Sequence, residues 1–196
     1  MRTTAKTNKL LLVSLVYFVL FSSVLAAEYR LEFLDSYNQP IRIFAKNNLI
    51  EISRAKKKIS LDRESKRILT QMDSILVISN RTFLLDSQQY FWAFIRLPSK
   101  NSHGAGFCGA GLEDFLVLFK IQRSNLYLID KYQAQSCLNS ISINIDQIEE
   151  VDTKIAFSRE NGIIQFSQEF VNSESVYSKT IRLTPLSLRI LVQSTP

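Results

Sequence analysis

Tyr90-Phe91-Trp92-Ala93-Phe94-Ile95-Arg96-Leu97 carries apolar side chains at odd and even positions alike, and so does Asp114-Phe115-Leu116-Val117-Leu118-Phe119-Lys120-Ile121. Successive residues of a β-strand point to opposite faces of its sheet. A strand that is apolar at both parities is therefore covered on both sides. The aromatic set Tyr90, Phe91, Trp92 and Phe94 reads accordingly as core, not as an exposed binding platform.

Working outward, the remaining chain is also written in short strands. Residues 28–34, 41–45 and 49–53 are β-prone runs separated by Asp35-Ser36-Tyr37-Asn38-Gln39-Pro40 and Lys46-Asn47-Asn48, which are turn compositions. Strand signals return at 74–79 and 82–85, and 126–131 pairs back on 114–121 across Arg123-Ser124-Asn125. Ile141, Ile143 and Ile145 alternate with Ser142, Asn144 and Asp146, the cleanest period of two in the chain. Residues 154–158 and 163–168 flank Arg159-Glu160-Asn161-Gly162, where Asn-Gly is a strong hairpin signal. Residues 176–184 and 186–192 close the chain around Pro185. Only 61–72 reads as helix, with Leu61, Ile68, Leu69 and Met72 on one side.

This pattern predicts an all-β fold, an antiparallel sandwich or barrel with at most one short helix. No linker-like stretch divides it, so residues 27–196 are expected to form a single domain.

Residues 1–26 have the layout of a secretory signal peptide. Arg2, Lys6 and Lys9 precede an apolar run over 10–20, and Ser22-Ser23-Val24-Leu25-Ala26-Ala27 supplies small residues for cleavage after Ala26 or Ala27. The rival reading is an uncleaved anchor, because 10–27 is long and apolar enough to cross a bilayer. Cleavage implies a periplasmic or extracellular protein with no stable membrane span.

The leader also inflates the charge. Removing its three basic residues takes Lys+Arg from 24 to 21 against 18 Asp+Glu, a net charge of +3 in place of +6. A surplus that small gives no case for nucleic acid. The run Arg54, Lys56, Lys57 and Lys58 reads as a solvated turn.

Between the two central strands lies Pro98-Ser99-Lys100-Asn101-Ser102-His103-Gly104-Ala105-Gly106-Phe107-Cys108-Gly109-Ala110-Gly111-Leu112-Glu113. Four of the five glycines of the chain, its only histidine and one of its two cysteines fall here. Glycine serves where backbone takes positive φ or approaches something closely, so this is a shaped loop. Two cysteines in an exported chain predict one disulfide, Cys108 to Cys137. It would close about 29 residues and contribute about 3.5 kcal/mol by chain entropy. It would also pin the loop.

Several chemistries fall away on spacing. Gly104, Gly106 and Gly109 match the dinucleotide fingerprint, with Asp130 at the expected distance, but that site needs a strand directly before the glycines and a helix directly after. Here a polar stretch precedes them and a strand follows. Nucleophilic catalysis through Cys108 and His103 would need a free thiolate, which a disulfide removes. With one histidine, the usual metal sites are not available, and no cofactor or metal is expected. Glu113 and Asp114 point to opposite faces of their strand and read as groups that solvate the loop exit; Glu149, Glu150 and Asp152 read as a second solvated cluster.

Three function classes survive. The leading one is an exported, inhibitor- or immunity-like binding protein that presents its disulfide-pinned loop to a macromolecular partner. The loop residues expected to make contact are His103, Gly104, Gly106, Phe107, Gly109, Gly111 and Glu113. The others are a carrier of a small apolar ligand or lipid and a carboxylate-dependent hydrolase. A filled core favours the first, a large internal apolar cavity the second, and two carboxyl groups facing across a cleft the third.

Overall fold

The computed structural model describes residues 29–46, 49–99, 111–136, 139–144, 150–171, 175–186 and 189–195. The leader, both cysteines and loop residues His103, Gly104, Gly106, Phe107 and Gly109 lie outside the described residues.

The strands are β1 (Tyr29–Leu34), β2 (Pro40–Lys46), β3 (Leu49–Arg54), β4 (Lys57–Leu61), β5 (Ser74–Val77), β6 (Phe83–Leu85), β7 (Gln88–Pro98), β8 (Leu112–Gln122), β9 (Asn125–Ser136), β10 (Ile141–Ser142), β11 (Ala156–Ser158), β12 (Ile163–Val171), β13 (Val176–Leu186) and β14 (Arg189–Thr195). Helix α1 (Arg63–Gln71) and the single turn α2 (Val151–Lys154) interrupt them. All strands belong to one sheet, with β1 to β4 at one end and β12 to β14 at the other. The pairing is antiparallel except for β4 beside β9, where Ser60 lies opposite Asn125 and Leu61 opposite Leu126. The fold is all-β.

The two-sided strands sit at its centre. Phe91, Ala93 and Ile95 of β7, with Val117, Phe119 and Ile121 of β8, pack against Phe33, Ile41, Ile43 and Ile52 of the first strands and Ile68 and Leu69 of α1. On the opposite face Tyr90, Trp92, Phe94, Leu116 and Leu118 pack against Ile164, Phe166, Ile181 and Leu183 of β12 and β13. The β7–β8 ribbon is thus the middle of three layers. Burying one large apolar side chain contributes roughly 1.5–3 kcal/mol, which makes the doubly covered ribbon the most strongly held part of the molecule.

Local contacts lock the layers together. Trp92, 1% exposed, donates its indole Nε1–H to the Gly162 carbonyl at 2.7 Å. Gly162 holds φ +66°, and a Cβ there would fall inside the ring of Phe83. That turn, between β11 and β12, needs its glycine. Strand β9 carries two bulges against β8, skipping Ile129 and Ala134 in the register, and such bulges bend and twist a strand. Fully buried Gln168 of β12 serves the second bulge: its Nε2 donates to the carbonyls of Gln133 and Ala134 at 3.1 and 2.8 Å, and its Oε1 accepts from the Tyr132 hydroxyl at 2.6 Å.

Helix α1 starts where Asp62 caps it, accepting from the Ser65 amide at 2.9 Å. Its buried residues are Ser65, Ile68 and Leu69, on the side facing the sheet.

The basic run at 54–58 holds the expected solvated turn, at Ala55 and Lys56, with Lys56, Lys57 and Lys58 exposed; Arg54 bonds buried Asp35 at 2.7 Å, and Lys57 and Lys58 begin β4, whose Ile59 is buried. One expectation needs correction. Of the alternating run at 141–145 the described strand is β10 alone: Ile143 turns into the core, Asn144 takes a positive φ of 53°, and Ile145 lies outside the described residues.

Candidate functional site

A groove of about 640 Å³ opens between α1 and the ends of β7, β8 and β9. Ile68, Leu97, Pro98, Phe115 and Leu128 make its apolar wall. Glu64, Arg67 and Gln71 approach from the helix, and Glu113, Lys131 and Gln133 from the sheet. Register explains the convergence. Glu113 lies opposite Leu97 on one side and Ser136 on the other, and its parity places it on the α1 face of β8 with Phe115 and Val117.

Glu113 is the chemically distinctive group. It is 6% exposed; its Oε2 accepts from Gln133 Nε2 at 2.6 Å, and Gln133 Oε1 in turn accepts from Asn139 Nδ2 at 2.8 Å. Its Oε1 is buried with no hydrogen-bond partner, and so is the Ser99 hydroxyl on the same wall. Buried polar atoms are nearly always paired. Of the three unpaired buried side-chain atoms among the described residues, one is Gln89 Oε1, and the other two belong to residues that line this groove. Neighbouring Asp114 has none: Arg96 bonds it through Nε and Nη2 at 2.8 and 2.9 Å on the opposite face of the sheet.

The expectation that Glu113 and Asp114 solvate the loop exit is therefore wrong, since both are buried. Their opposite facing, read from the strand period, holds. The aromatic set at 90–94 is core.

The groove's cations are occupied differently. Arg67 is bonded to Glu64 at 2.6 Å, with both side chains about half exposed. Lys131 Nζ rests 4.9 Å from the centroid of the Phe115 ring. Across the sheet, burial pushes the Tyr132 phenol above its ordinary pKa, opposed by the bond to Gln168.

Ser99, the last described residue before the loop, lines this groove. Gly111 carbonyl accepts from the Ser99 amide at 2.8 Å and closes the base of the loop. Of the sequence-derived contact residues, Gly111 and Glu113 are described and sit together here; the others lie outside the described residues. Ser136, the residue before Cys137, stands opposite Glu113. The fingerprint glycines are followed by strand β8, not by a helix. Of the second acidic cluster, Glu150 and Asp152 fall at α2 and Glu149 is outside.

Sequence reasoning missed the groove itself. Its residues come from 64–71, 97–99, 113–115 and 128–139, and the one local signal was a glutamate at the start of a strand buried on both faces. Compared with protein-family models, curated proteins and solved structures, the chain matches none.

Proposed function

We propose that the protein is an exported, non-enzymatic binding protein that holds a macromolecular partner at the α1–β8 groove, with the Gly-rich loop between β7 and β8 in the sequence as the expected second contact. One observation carries the reading: two residues that line the groove, Glu113 and Ser99, each hold a buried polar atom with no hydrogen-bond partner, Oε1 and Oγ. An isolated fold gains nothing from leaving them unpaired, and each orphan costs about 1–3 kcal/mol. A site that awaits a partner accounts for them. The volume and the apolar wall with a few convergent polar groups are those of a recognition pocket.

The alternatives fare less well. Both sides of the central ribbon are filled by side chains such as Trp92, Phe94 and Phe119, whereas a carrier needs its space inside the core. A hydrolytic pair needs two available carboxyl groups. Glu64 lines the groove with Glu113, but Arg67 engages it.

Photocrosslinking in the native host tests this. A photoreactive residue at Gln71, on the groove rim, should yield one discrete adduct, and the same probe at Arg182, exposed on β13, should yield none. Adducts at Arg182 but not Gln71 would move the site elsewhere.

A further inference from the structure

We infer that the groove receives an aliphatic cation, the side chain of a lysine or arginine presented by a partner protein, with its charged nitrogen donating to Glu113 Oε1. This rests on the groove being the recognition site. Four features select the chemistry.

A carboxylate oxygen only accepts, so the partner missing from Oε1 is a donor. Among the described residues Glu113 has a single polar contact, and it is neutral: the amide of Gln133. The described cations that line the groove are otherwise engaged. Arg67 of α1 is bonded to Glu64, Lys131 of β9 lies over Phe115, and Leu97, Pro98 and Ser99 of β7 bring no charge. A buried carboxylate without a counter-charge is costly, and a cation relieves it far better than a neutral donor does.

The wall decides what carries the charge. Ile68, Leu97 and Leu128 offer apolar surface on the approach to Glu113, which suits the methylene stem of lysine or arginine. The Ser99 hydroxyl, the second orphan, can accept another N–H of the same head group. Because Oε1 is screened from water in the free protein, binding requires the Glu113 side chain to rotate into the groove that it lines.

NMR titration of the ¹⁵N-labelled protein tests the inference, with capped alanine pentapeptides bearing a central lysine, norleucine or glutamate, and with n-hexylamine. The lysine peptide should shift the amides of Leu97, Ser99, Phe115 and Leu128, and the norleucine peptide should bind about tenfold or more weakly. Glu113→Gln, which keeps shape and removes charge, should lose about tenfold or more of the lysine affinity. If that variant does not fold, Ser99→Ala serves instead, with a severalfold loss expected.

Tightest binding by the glutamate or norleucine peptide, or undiminished lysine binding by both variants, overturns the cation while leaving the groove as a site. Tighter binding of hexylamine than of the lysine peptide overturns the protein side chain as the source. No shift at the groove with any probe, together with a Gln71 adduct in the host, sinks the inference alone; no shift and no adduct sinks the groove reading too.

Discussion

Arg96 and Asp114 stand directly opposite each other on β7 and β8, and the guanidinium closes on the carboxylate through two hydrogen bonds of 2.8 and 2.9 Å. Both residues are buried. The preceding residue on β8, Glu113, faces the other way with one oxygen unpaired. Adjacent carboxylates thus have opposite fates. One is satisfied within the fold, and the other keeps one oxygen unpaired.

The pair gives a stability prediction. Asp114→Ala removes both hydrogen bonds of this buried ion pair and should cost about 3–5 kcal/mol. Replacing both partners together, Arg96→Met with Asp114→Leu, should cost much less, because no charge is then stranded. Urea unfolding of the two variants checks this. Equal losses would mean that the strands, not the ion pair, dominate at this position.

The β3–β4 hairpin predicts a gain. Ala55 and Lys56 both hold positive φ, at 46° and 67°, a turn conformation that suits Asn-Gly and strains other residues. Ala55→Asn with Lys56→Gly should raise stability by about 1 kcal/mol. The urea midpoint should rise with the slope unchanged. A lower midpoint would show that the lysine side chain contributes more than the strain costs.

Export and the disulfide make a joint prediction. Mass spectrometry of protein from its native host should find an N-terminus at Ala27 or Glu28, and thiol titration of the unreduced, denatured chain should find no free sulfhydryl. Intact Met1 on membrane-embedded protein would favour an anchor. Two titratable thiols would free Cys108 for other chemistry.

The centre of the fold was legible in the sequence, and its periphery was not. Tyr90 to Leu97 announced two-sided burial because both parities are apolar, and the layers over Phe91 and Trp92 are that announcement realised. Strand β4 hid behind Lys57 and Lys58, where polar side chains mask an extended backbone with Ile59 as its one buried residue. The alternation over 141–144 misled in the other direction, since a polar–apolar period does not show that Asn144 takes a positive φ just past the two residues of β10. The site was half legible. Glu113 could be named as a loop-exit residue, but its burial and its unpaired oxygen depend on α1 and β9, which touch it only in the folded chain.

The account stands on Glu113 being retained for binding at a cost to the fold, and thermal melting of wild type and Glu113→Gln, with and without the lysine pentapeptide, measures that directly. Removing the unpaired charge should stabilise the free protein by about 1 kcal/mol, a rise of about 2–4 °C for a chain of this size. Added peptide should raise the wild-type melting temperature and leave the variant's unchanged. A variant that melts below wild type, with the same response to peptide, would make Glu113 a structural residue and contradict the assignment of the groove.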